Sequence, residues 1–169
     1  MKRLIVAAAL LFGMVAPATV QAAKPQPLLG GTLKSWIQAL GPYESYSSAD
    51  SPGWEKCPGV NTVRVMAAVL DGQFYTVNGQ LCDGAKKPTT AQNIASARIY
   101  FPKDTLSKGT LNTGQGIDLE YFSASLGKTQ AAKSMSQDCS QNTVKPGLFS
   151  LNTDSDGAGD WTLAVGTCS

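Results

Sequence analysis

Apolar residues recur along the chain with two different periods, and the period assigns each element. Leu33, Trp36, Ile37 and Leu40 stand at i, i+3, i+4 and i+7, the one-sided stripe of an amphipathic helix. Thr32 is placed as its N-cap, and Gly41-Pro42 ends it. Residues 43–59 are rich in Ser, Pro and Gly and read as a loop. Two β-prone runs, 63–70 and 73–77, are joined by Asp71-Gly72, the dipeptide of a type I′ hairpin turn. Asn78-Gly79 reads as a second turn leading into Gln80-Leu81-Cys82.

The second half repeats this order. Thr89 or Thr90 caps a helix over 92–101, whose stripe is Ile94, Ala97 and Phe101 and whose stop is Pro102. A strand over 97–101 is the rival reading. Residues 116–121 alternate, with Ile117, Leu119 and Tyr121 on one face, whereas 126–142 are polar. Residues 147–151 and 161–165 are the last two strands. Helix–strands–helix–strands predicts an α+β fold, with short helices packed on a largely antiparallel sheet and two similar helix–strand-meander halves. No linker divides residues 23–169, so one domain is expected.

The N-terminus reads differently. Lys2 and Arg3 precede the apolar run 4–15, and Val20-Gln21-Ala22 gives a small-x-small ending. This is the pattern of a secretory signal peptide, residues 1–22, cleaved after Ala22; an uncleaved anchor is the alternative. The apolar run falls short of the roughly 20 residues a bilayer span needs. No cysteine at the cleavage point offers a lipid attachment site. The chain is therefore expected to be exported, periplasmic or extracellular, with no membrane span after cleavage. Its charge changes accordingly. Of 14 Lys+Arg against 12 Asp+Glu, the surplus of two is Lys2 and Arg3, so the exported part is formally neutral. Its cations are scattered, which argues against nucleic-acid or anionic-membrane partners.

Composition narrows the chemistry further. There is no His, so the Ser/His and Cys/His nucleophile pairs and the common zinc ligand sets are absent. The four cysteines, Cys57, Cys82, Cys139 and Cys168, lie in the exported part without C-x-x-C spacing and read as two disulfides. Three pairings exist. Cys57–Cys82 and Cys139–Cys168 are favoured, because each pair brackets one continuous stretch of expected strands.

The short helix ending in Leu40-Gly41-Pro42, followed by strands around Asp71-Gly72, resembles the repeat unit of the β-lactamase-inhibitor-protein fold of small bacterial envelope proteins. The resemblance covers about residues 30–82 and, more faintly, 89–166. That family's helix usually comes as a pair, where one per half is expected here. The resemblance implies a binding protein and carries over no functional residue.

Three constellations bear on chemistry. Asn152, Asp154, Asp156 and Asp160, with Gly157 at the turn, space their oxygens as a calcium loop does. Leu163 stands where a helix–loop–helix hand has its bidentate Glu. With the apolar run 161–165 behind it, the segment resembles a single FG-GAP repeat, which implies calcium; a plain acidic hairpin turn is the alternative. Asp118 and Glu120, two apart on one strand, fit the carboxylate spacing of a glycosidase and equally the wet face of a half-buried strand. Tyr43, Tyr46 and Trp54 form either an aromatic recognition patch or the packing of their loop on the sheet. The expected function is a non-enzymatic, monomeric binding domain for a protein or envelope component. The alternatives are a carboxylate-dependent polysaccharide hydrolase acting through Asp118, Glu120 or Asp160, and a structural secreted protein stabilised by calcium.

Overall fold

Among the described residues, seven strands lie side by side in one sheet, every neighbouring pair antiparallel. The computed structural model describes residues 25–44, 47–54, 63–81, 87–112, 116–138, 145–154 and 160–166. In chain order the elements are α1 (Leu33–Leu40), β1 (Gly53–Trp54), β2 (Val63–Leu70), β3 (Gln73–Leu81), α2 (Thr90–Arg98), β4 (Leu106–Asn112), β5 (Gly116–Phe122), a 3-10 turn (Leu126–Lys128), α3 (Gln130–Asp138), β6 (Leu148–Asp154) and β7 (Trp161–Val165). The fold is α+β. Each half opens with a helix and continues as a meander, and the halves join through their last strands, β3 against β7. None of the described helices is long and apolar enough to cross a membrane.

Local chemistry explains the helix ends. Thr32 caps α1, its hydroxyl accepting from Ser35 N at 3.3 Å, and Gly41 closes it at φ 91° with its N–H on Ile37 O. Thr89 and Gln92 form a capping box on α2. That helix stops at Arg98 rather than continuing to Phe101. The reason is packing: Tyr100 stacks on Trp36 and packs against Trp161, while Phe101 packs on Tyr121 and Phe149. A turn after Arg98 sends these two consecutive rings into different parts of the core. Burial pushes the Tyr100 hydroxyl up to about 12.

Three further elements depart from the pattern reading. Asn78-Gly79 is not a turn: β3 runs straight through to Leu81. Gly79 lies opposite Trp161 on β7, and a side chain there would meet the indole ring. The glycine marks a close approach between strands. Strand β4, with the polar sequence LSKGTLN, is the sheet edge; it is exposed over 106–110 and bulged at Lys108. Helix α3 buries Ala131 and Ala132 rather than large residues, which is why no apolar stripe announces it. Its first amides, Gln130 N and Ala131 N, donate to Gln73 Oε1 at 2.7 and 3.1 Å, a cap supplied by β3.

The register sorts the faces. Ala67, Val77, Leu163 and Leu151 form one buried cross-strand row, and Val165, Phe149 and Tyr121 another. Helix α2 lies across β6 and β7, and Trp36 of α1 is fully buried against Phe74 with ring centroids 4.3 Å apart. The other face carries Met66, Asn78, Thr162, Asn152 and Asp118 in one row, half-buried or exposed. The Asp71-Gly72 turn has positive φ at both residues, as type I′ requires.

Candidate functional site

A depression of about 480 Å³ opens where the turn formed by residues 28–31 passes the turn that follows α2 and the loop that follows β5. Gly31 N closes this turn on Leu28 O at 2.9 Å, and the backbone anchors it: Leu29 N donates to Tyr100 O, Gly30 N to Phe74 O, and Phe74 N to Gly31 O, all at 2.8–2.9 Å. Trp36 Nε1 holds Leu28 O at 2.9 Å. Gly30 has φ 79° and lies so close to Leu126 and Thr129 that a side chain would displace them. The walls are thus backbone glycines, Leu28, Leu29, Pro102 and Leu126, with Thr129 beyond.

The polar rim comes from two turns. Pro102 ends the α2 segment, and its carbonyl accepts from Thr105 N and Thr105 Oγ1, which puts Lys103 and Asp104 at the tip. The opposite turn, residues 123–125, leads into the 3-10 turn. Asp104 Oδ1 accepts from Ser123 Oγ and Ser125 Oγ, each at 2.6 Å, and Oδ2 accepts from Ser125 N at 2.8 Å. Ser123 is fully buried and its hydroxyl also accepts from Leu126 N at 3.0 Å. The Ser123 hydroxyl, then the Ser125 hydroxyl and amide, hold the Asp104 carboxyl far below the usual carboxylate range.

This arrangement contains a serine beside a carboxylate, but its chemistry is that of a clamp. A carboxylate so easily ionised is a weak proton acceptor at neutral pH, far from the pKa a general base needs. Asp104 instead ties the turn before β4 to the turn after β5 and leaves a fixed negative charge at the mouth of an apolar depression.

The residues singled out by sequence fall elsewhere. Asp118 and Glu120 share the half-buried face of β5, and Asn152 Nδ2 donates to Asp118 Oδ1 at 2.5 Å across the β5–β6 ladder. Asn152 lies within β6 and Asp154 is that strand's last residue. Asp160 directly precedes β7, and Asp156 is outside the described residues. Trp54 is not part of a surface patch. It is 4% exposed, packs on Trp36 and Phe74, and donates Nε1 to Gly41 O at 2.9 Å. Tyr43 packs edge-on against it at 6.3 Å. Together they bring residues 43 and 54 onto the core, because an indole of this size is better buried with its N–H paired than exposed. Tyr46 and the four cysteines, Cys57, Cys82, Cys139 and Cys168, lie outside the described residues.

Sequence reading missed Lys103, Asp104, Ser123 and Ser125. The available signal was weak: a Pro-Lys-Asp-Thr turn, and Ser-x-Ser directly after a clear strand. No protein-family model matches this chain, and comparison with curated proteins and with solved structures finds no significant match.

Proposed function

We propose that the chain is an exported, non-enzymatic binding domain whose ligand occupies the depression between residues 28–31, 102–104 and 125–129. The observation that carries the reading is that apolar depression, about 480 Å³, with the clamped Asp104 carboxylate at its rim. Its volume is within the roughly 300–1,000 Å³ of small-molecule sites, and such sites combine apolar walls with a few fixed polar groups. The signal-peptide pattern of residues 1–22 supports export. The lack of His in the sequence and the low pKa of Asp104 support binding rather than catalysis. The hydrolase alternative is less favoured, since Asp118 is engaged by Asn152 within the ladder.

Small apolar probes, such as indole and p-cresol, titrated into ¹⁵N-labelled protein test this. Amide shifts should concentrate in residues 28–31, 102–104 and 125–129. Shifts confined to another surface would overturn the reading, as would glycoside hydrolysis abolished by Asp118→Asn or Glu120→Gln.

A further inference from the structure

The ligand's chemistry follows from how the two rim charges are held, and rests on the depression being the binding site. Lys103 and Asp104 are successive residues of opposite sign, yet they are not equivalent. Three donors fix the Asp104 carboxylate. Two hydroxyls fill the lone pairs of Oδ1, whereas Oδ2 accepts the Ser125 amide and, on an exposed residue, stays open to a further donor. A group already fixed loses little freedom when it binds. The Lys103 ammonium ends an exposed, flexible side chain and must be ordered to take part. The rim therefore presents a preorganised anion and a mobile cation, above walls made by Leu28, Leu29, Pro102 and Leu126. The space equals about sixteen waters at roughly 30 Å³ each, enough for a ring with a short chain.

We propose that this depression binds a small molecule carrying a protonated amine on an apolar body, the ammonium meeting Asp104 Oδ2 and the apolar part lying against Leu28 and the Thr129 methyl. Catalysis is not involved; the site selects by charge and by apolar burial.

Three near-isosteres separate the terms: 2-phenylethylamine, 2-phenylethanol and 3-phenylpropionate, each titrated by amide chemical shift. The amine should bind about five- to tenfold tighter than the alcohol, the worth of one close charge pair at a wet surface. The acid should bind weakest, and added salt should erode only the amine's advantage. Asp104→Asn should remove the preference for amine over alcohol. Lys103→Gln leaves the clamp untouched and should strengthen the amine while leaving the alcohol unchanged, a result available even if the Asp104 variant misfolds. Alcohol and amine binding equally, with shifts still in the depression, overturns the amine assignment and keeps the binding site. If none of the three moves these amides, both fall.

Discussion

Replacing Gly79 by Ala tests whether β3 and β7 are as close as the register places them. Within a strand, Gly to Ala ordinarily stabilises by about 0.5–1 kcal/mol, because the unfolded chain loses freedom. Here the added methyl would fall within 3.0 Å of Cε2, Nε1 and Cζ2 of Trp161. That ring is 2% exposed and packs on Tyr100 at 5.6 Å, so it has little room to retreat. Overpacking of this kind costs about 1–3 kcal/mol, which outweighs the entropic gain. The net expectation is a loss of about 1–2 kcal/mol, or a melting temperature lower by roughly 3–6 °C for a chain of this length. Denaturant and thermal melts followed by far-UV circular dichroism measure it. Trp161→Phe removes the atoms the methyl meets, together with an indole N–H that is buried without a partner. The double variant should then recover about 1 kcal/mol relative to the sum of the single changes. A Gly79→Ala protein as stable as its parent, or strictly additive costs, would refute the close approach.

Four further outcomes are expected. Non-reducing peptide mapping should find Cys57 joined to Cys82 and Cys139 to Cys168. A Cys57–Cys139 or Cys57–Cys168 bridge would contradict it. Asp104 should show no carboxyl titration by NMR down to pH about 3, since the folded group titrates below its unfolded value of about 3.9. The clamp's contribution is therefore complete above that value and lost only as pH falls below it, and an inflection near 4 would disprove it. Gln73→Ala leaves the α3 amides of Gln130 and Ala131 without their acceptor and should cost about 0.5–2 kcal/mol, with faster hydrogen exchange confined to that helix. Asp154 ends β6 and Asp160 directly precedes β7, at the two ends of the acidic loop. About 10 mM calcium, above the weak end of extracellular sites, should therefore raise the melting temperature, and not in Asp154→Ala/Asp156→Ala; an unchanged melt reduces the loop to a plain turn.

Where a residue's local preference and its tertiary role agree, the sequence alone predicted the element. Thr32, Gly41 and the stripe through Trp36 define α1 to the residue, and Asp71-Gly72 has the positive φ values its dipeptide favours. Alternation along 161–165 gives the observed buried–half-buried order of β7. The errors have a common cause, a residue chosen for something distant in sequence. Gly79 answers to Trp161, 82 positions on by its pairing in β7. Ala131 and Ala132 of α3 are buried yet small, so hydropathy is nearly silent there. Trp54 sits in a Ser-, Pro- and Gly-rich loop and still belongs to the core, because Trp36 and Phe74 offer it aromatic contact.

The site was hidden for a related reason. Asp104 and its serines are 19 and 21 residues apart and carry no motif. What brings them together is the β4–β5 ladder, whose first pair is Leu106 with Phe122; the residues just before one strand and just after the other then meet at the same end. Strand β4 is the polar, bulged edge of the sheet, the kind of strand selected to resist pairing with other chains and so the hardest to see as a strand at all. Once β4 is recognised, the register itself places residue 104 beside residues 123–125, and the Ser-x-Ser sequence supplies the donors a carboxylate there would need. The apolar wall follows from the same geometry, because Ser123 holds Leu126 N and so sets Leu126 against Gly30. One unrecognised edge strand thus conceals the carboxylate, its donors and the depression they border.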